Sequence, residues 1–288
     1  MIQHIQQPAK QHGKHRHIWL CADDYGISPG VNSAIRDLLA RRRINAASVM
    51  VVAPSFSHSE ATALLDVAAP RAAVGLHLTL TAPFRPISHG FAPLHHGAFP
   101  SLAAVMQRAH LRRFASELLT IEIVRQIEAF AAAFGRAPDF VDGHQHVQLF
   151  PQIGEAVLRV MKDAAPAAWV RQCGRALPAH KRFADSKALL LDGLSRRFRR
   201  VAARQGVATN PAFAGAYAFR AQADYAKLFP NFLDHLPDGG VVMCHPGKVD
   251  AELRRLDALT DLRQHEYAFF LGDIFPSMLT EHGVVINP

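Results

Sequence analysis

The 288-residue chain carries 49% hydrophobic residues, which is enough to bury a sizeable core and excludes a disordered or fibrous polymer. Lys plus Arg number 32 against 24 Asp plus Glu, a net charge of +8 that favours anionic partners and says nothing about fold. No run approaches the roughly 18 consecutive apolar residues of a membrane span. The first 16 residues read as a flexible, His-rich tail without the apolar stretch of a secretory signal. The cysteines, Cys21, Cys173 and Cys244, are scattered and odd in number, so neither a disulfide framework nor a zinc ribbon is expected. A cytoplasmic location follows as an expectation.

After the tail, apolar strand-like runs alternate with helical patterns. His17–Ala22 reads as a strand that ends at the pair Asp23-Asp24. Pro29–Arg42 has Pro near its start and Val31, Ile35, Leu38 and Leu39 on one face, the pattern of a helix. A strand over Ala46–Val52, a helix over Ser57–Val67 and a strand over Ala73–Leu80 follow. Thr81 to about Leu111 lacks sustained periodicity and reads as a long loop. Phe114–Phe134 reads as a long helix with Leu118, Ile121, Val124, Ile127 and Phe134 as its buried face. A strand over Asp139–Asp142, a helix over Gln152–Lys162, a strand over Ala168–Gln172 and a helix around 184–205 come next. The chain closes with a helix over Tyr225–His235, a strand over Gly240–Cys244, a helix over about Ala268–His282 and a short run, Val284–Ile286.

Such alternation implies a parallel sheet covered by helices. The predicted fold is α/β: one domain over residues 17–288, a distorted (β/α) TIM-like barrel of about seven parallel strands. The placement of polar residues favours a barrel over an open sheet. Asp23, Asp24, His77, His144, Arg171 and His245 all fall at or just beyond C-terminal strand ends, and a barrel gathers those ends at one mouth. No GxGxxG follows the first strand, so a dinucleotide fold lacks support.

Each of these residues has an ordinary explanation when taken alone. Asp23-Asp24 suits a turn or cap before Pro29. His77 suits a hydrogen-bonded core position, and His245 suits a strand end. Together they amount to more. One carboxylate and two imidazoles make a three-ligand metal site with open positions. A second Asp is then spare as a base, and His245 is spare as an acid. In Asp142-Gly143-His144-Gln145-His146, spacing does not choose between the two histidines, and Asp142 can accept a hydrogen bond from an imidazole. Arg171 is placed to hold Asp23 or a substrate hydroxyl. Amide hydrolysis needs this set: activated water, a base, and an acid for the leaving amine.

The segments CADDYGISPGVNSAI, VGLHLTL, PDFVDGHQHVQLFP and VVMCHPG, in this order, resemble the YdjC-like (ChbG/HpnK) carbohydrate deacetylases over nearly the whole chain from residue 17. The resemblance implies a distorted (β/α) barrel, often dimeric, that removes the N-acetyl group from an N-acetylated amino sugar, chito-oligosaccharide-like or glycolipid-linked, with one divalent metal ion. By motif match it implies Asp24, His77 and His144 as metal ligands, Asp23 as catalytic base and His245 as acid. It leaves His146 to contact substrate or support a ligand. The ligand set admits zinc, cobalt, nickel, manganese or magnesium, with zinc or magnesium foremost. Another metal-dependent amide or lactam hydrolase on the same barrel is the first alternative. The second is a binding protein for an anionic surface, using the Arg196–Arg204 cluster. That cluster is otherwise the solvated face of an amphipathic helix, and no nucleic-acid module surrounds it.

Overall fold

A computed structural model describes residues 15–176, 186–220 and 223–286. Positions 1–14 of the His-rich tail lie outside the described residues. Arg16, predicted as part of that tail, stands instead in strand β1 (Arg16–His17), which pairs in parallel with β9 (Val284–Val285). Its guanidinium fixes the junction by donating to the carbonyls of Leu233, Leu236 and His282.

The main sheet has seven strands, all parallel. In chain order they are β2 (Trp19–Tyr25), β3 (Ala46–Val49), β4 (Ala73–Leu78), β5 (Phe140–Gly143), β6 (Trp169–Val170), β7 (Phe213–Ala214) and β8 (Val241–Cys244). Around the sheet they run β6-β5-β4-β3-β2-β8-β7. The sheet curls, and its two edges meet. Val170 bridges to Thr209, and the Asn210 side chain accepts from the Gln172 N–H at 2.8 Å and donates to the Gln172 and Ala212 carbonyls at 3.1 and 2.8 Å. A side-chain amide therefore replaces ladder bonds between β6 and β7, and the curled sheet becomes the expected distorted barrel.

The strands are buried on both faces, as a parallel sheet requires, and they read as short apolar runs. The first helix, α1 (Pro29–Ala40), starts on a Ser28 cap, with Val31, Ile35, Leu38 and Leu39 inward as their spacing predicts. Helix α2 (His58–Ala68) is capped by Ser57. The region predicted as one loop contains α3 (Leu102–His110), capped by Ser101, with only Val105 and Ala109 buried. Two buried positions in nine residues give too weak a stripe to read from sequence.

Helix α4 (Ser116–Phe134) is rotated from the predicted face. Leu119, Ile123, Ile127, Phe130 and Phe134 are buried, while Ile121 is 38% exposed. The reason is polar. Glu122 and Gln126 are buried too, Glu122 accepting the Ile87 and Ser88 N–H groups and Gln126 bonding both the N–H and C=O of Thr79. The long segment after β4 is thus stitched to α4, which turns that face inward.

Helix α5 (Pro151–Ala164) packs on α6 (Ser186–Gln205), whose predicted start at 184 falls outside the described residues. Phe198 and Ala202 of α6 are buried, Arg196, Arg199, Arg200 and Arg204 are exposed, and Arg197 pairs with Glu155 at 2.9 Å. Helix α7 (Tyr225–Leu233) precedes β8. Helix α8 (Ala251–Leu256), not predicted, begins on an Asp250 cap. The single predicted C-terminal helix is two, α9 (Asp261–Leu271) and α10 (Ile274–Glu281), broken at Gly272-Asp273. All three cysteines are buried and free. No helix among the described residues is long and apolar enough to cross a membrane.

Candidate active site

The acidic pair sits at the end of β2. Cys21 and Asp23, two residues apart, share the inner face of the barrel, so an unbroken strand would turn Asp24 outward. The chain avoids this with a bulge. Ala22 pairs with Ala47 and Tyr25 with Val49, so Asp23 and Asp24 together oppose Ser48 alone. Asp24 takes up the extra residue at φ +69°, in the left-handed region that Asp tolerates better than most residues. The turn thus begins at Asp24, ahead of Tyr25-Gly26. Both carboxylates end up buried and inward.

Asp24 Oδ1 lies 3.2 Å from His77 Nε2 and 2.9 Å from His144 Nδ1. These three groups form a cluster whose ligand atoms all lie within 4.8 Å of one another. Strand register explains the other side of His77. His77 on β4 is the pairing partner of Asp142 on β5. Asp142 Oδ1 stands 2.6 Å from His77 Nδ1, and Ser48 Oγ donates to the same oxygen at 2.5 Å. Asp142 therefore fixes the ring of His77 with Nε2 toward Asp24. Gly143 lets the chain turn beyond β5, because a Cβ there would sit 2.6 Å from Gln148 Oε1. The turn presents His144 to Asp24.

Asp23 is gripped separately. Arg171, buried just past β6, donates from Nη1 and Nη2 to its two oxygens at 2.6 and 2.8 Å, and Nη2 stands 2.5 Å from Asp142 Oδ2. Of the two partners open to Arg171 from sequence, the geometry supplies Asp23. Burial works against the charge on Asp23, but Arg171 and His77 outweigh it and hold the carboxyl below its ordinary value. Burial likewise opposes the charge on Asp24, which Arg263, His144 and His77 hold well below the carboxylate range. His77 is pushed up to about 10: burial disfavours its charge, and Asp142 and Asp23 more than compensate.

His245 ends β8. Its N–H donates to Glu266 Oε2 at 2.6 Å, and its Nδ1 is buried without a hydrogen-bond partner. Burial lowers its pKa. His146 lies apart from the three-residue cluster. Its Nδ1 is 3.5 Å from Cys173 Sγ and its ring stands on edge to Phe213, while burial and the nearby Arg171 push it down to about 3. Beside it opens a cleft of about 150 Å³ lined by Cys173, Leu191, Phe213 and Phe232, among others, and by none of the acidic or imidazole groups of the site.

Four residues have no counterpart in the sequence reading. Arg263 on α9 is buried and stands 2.5 Å from both Asp24 Oδ2 and Asp257 Oδ2. Ser48 braces Asp142. Glu266 on α9 holds His245 and accepts from Tyr217 Oη at 2.7 Å. Phe219 meets the His245 ring, centroids 5.6 Å apart. Register was the one available signal, since adjacent β3, β4 and β5 place Ser48, His77 and Asp142 in neighbouring rows. Nothing local in α9 marks Arg263 or Glu266.

The molecule is thus an α/β barrel with a buried cluster of acids and imidazoles at the C-terminal ends of its strands. The chain belongs to the YdjC-like protein family, whose sequence profile matches residues 17–281. Among its relatives is a chitooligosaccharide deacetylase from Escherichia fergusonii, 29% identical over 239 residues that cover 81% of this chain and 82% of that protein. Among solved structures, a proposed cellobiose-phosphate cleavage protein from Enterococcus faecalis superposes with a TM-score of 0.73 at 19% identity, covering 94% of this chain and 97% of that one. A lactam utilization protein from Thermus thermophilus gives 0.53 at 14% identity, covering 94% and 98%. At these identities the structural likenesses establish the fold.

Proposed function

We propose that this protein is a metal-dependent N-deacetylase that removes the acetyl group from an N-acetylated amino sugar, chito-oligosaccharide-like or glycolipid-linked, and releases acetate. The observation that carries the reading is the pairing of two arrangements at one mouth: Asp24, His77 and His144 converge, and beside them Arg171 holds Asp23 ionised. The family relationship and the chitooligosaccharide deacetylase relative support the substrate class.

The donor set fits a divalent cation. One carboxylate oxygen and two ring nitrogens converge, and the Asp142 contact to His77 is the kind of outer support that orients a metal-binding imidazole. Zinc and magnesium are the leading candidates. Bound by Asp24, His77 and His144, the ion supplies Lewis-acid polarisation of the amide oxygen and acidification of water.

The remaining chemistry belongs to the protein. Asp23 takes a proton from the attacking water on a carboxylate oxygen. Arg171 keeps that carboxylate ionised and fixed in direction. The hydroxide adds to the acetyl carbon. His245, whose Nδ1 edge is buried, presents Nε2 to the sugar nitrogen and protonates it as the C–N bond breaks. His245 enters the step as the imidazolium; when Asp23 gives up its proton and His245 regains one through solvent, water has been split between acetate and the free amine. Asp142 and Ser48 hold His77, and Arg263 holds Asp24.

The test is acetate release from N,N′-diacetylchitobiose and from an N-acetylglucosaminyl lipid, with ring opening of a lactam as the competing readout. Chelation abolishes release and a divalent ion restores it. Asp23→Asn keeps bound metal while turnover falls by about 10²–10⁴-fold. Full activity in chelated, metal-depleted protein overturns the reading.

A further inference from the structure

Phe219 is the one exposed Phe, Tyr or Trp among the described residues, at 45% exposure. The other large apolar side chains that exposed are aliphatic: Ile87, Leu94, Leu102, Leu111, Ile121, Leu190 and Ile274. Isolated exposed apolar residues need no explanation. The placement of Phe219 does. Its ring stands nearly perpendicular to that of His245, 83° between planes and 5.6 Å between centroids. Its other neighbour is Tyr217, with ring centroids 4.4 Å apart.

Tyr217 is itself anchored. It packs against Tyr225 and Phe232, and its hydroxyl donates to Glu266 Oε1 at 2.7 Å. The other oxygen of Glu266 takes the His245 N–H at 2.6 Å. One buried carboxylate on α9 therefore ties both the histidine and the aromatic segment to the same support. Phe219 is held at a fixed place beside His245 with a large part of its ring left to solvent.

Resting on the proposed function, we propose that Phe219 is the sugar platform of this site: the C–H face of a pyranose stacks on its ring, which seats the acetamido nitrogen at His245. A pyranose presents rows of C–H groups on one face, and an aromatic ring presents a negative π-face to them. Binding sites combine such apolar surfaces with a few placed polar groups that fix orientation. Here the polar partner is about one sugar ring's width away, at His245. The stack places the nitrogen, and Glu266 sets the distance between stack and acid.

The test compares wild type, Phe219→Ala and Phe219→Trp on N,N′-diacetylchitobiose, with acetate release for kinetics and calorimetry for binding. The exposed ring can be removed without opening the core, and an unchanged melting temperature confirms it. Phe219→Ala lowers kcat/KM about tenfold, about 1.4 kcal/mol, mainly through KM, and Phe219→Trp restores it. A Phe219→Ala value within twofold of an active wild type overturns the platform. If wild type does not deacetylate the disaccharide, the substrate reading fails on that ligand, and binding decides the platform separately. A tenfold weaker Kd in Phe219→Ala supports the platform. Equal binding by both proteins, or none by wild type, overturns it.

Discussion

Asp142→Asn isolates the most constrained contact of the site. Asp142 touches nothing that reacts. It stands 2.6 Å from His77 Nδ1 with one oxygen and accepts the 2.5 Å hydrogen bond from Ser48 on that same oxygen. Its other oxygen is 2.5 Å from Arg171. Asparagine keeps the volume and removes the charge. Neutral Asn accepts more weakly from His77, and its NH₂, if turned inward, opposes the Nδ1–H. Loss of such a support weakens metal binding by about 10–100-fold, or about 1.4–2.7 kcal/mol. The assay is zinc competition against a chromophoric chelator at fixed pH, with circular dichroism to confirm folding. Ser48→Ala, which removes one bond to the same oxygen, falls between wild type and Asp142→Asn. A folded Asp142→Asn protein with zinc affinity within twofold of wild type would falsify the claim that this contact directs His77.

Arg171→Met tests the electrostatics beneath Asp23. It leaves the two buried carboxylates Asp23 and Asp142 without their cation, and breaking a buried pair in this way costs about 3–5 kcal/mol. Denaturant unfolding at neutral pH reads the loss, and a change under about 1 kcal/mol contradicts it. Glu266 gives a pH signature. Burial pushes it up to about 7 from 4.5, against the hydrogen bonds from Tyr217 and His245. An acid raised in the folded state binds a proton there that the unfolded chain has released. Its contribution to stability is therefore full below about 4.5 and falls as pH rises to about 7, by at most about 3 kcal/mol. Glu266→Gln removes that fall, and parallel stability–pH curves for the two proteins would count against it.

Strand ends were the most legible part of the sequence. Apolar runs closed by Asp, His or Arg mark where a barrel strand reaches its mouth, and β2, β4, β5, β6 and β8 were all visible that way. β7 escaped because two residues, Phe213 and Ala214, carry no period, and their pairing partners are the distant Val241 and Val242 of β8. Helix α4 was readable as a helix but not in its facing, because two buried polar residues act through a loop far away in sequence. The site divides along the same line. Asp23, Asp24, His77, His144 and His245 stand in short local motifs. Arg263 and Glu266 come from an exterior helix whose amphipathic pattern gives no hint that an Arg and a Glu point inward, and only the fold brings them to the mouth.

The bulge in β2 makes the two acids a single unit of inheritance. Their common direction comes from a skipped rung, not from either side chain. Deleting either acid removes the bulge and leaves one carboxylate opposite Ser48. It restores an even ladder in which Ala22 still faces Ala47 and Tyr25 still faces Val49, so Tyr25 keeps its bond to Glu60 on α2. The extra rung therefore serves the proposed chemistry and not the scaffold: the ladder can lose one residue here, but the pair of inward carboxylates cannot.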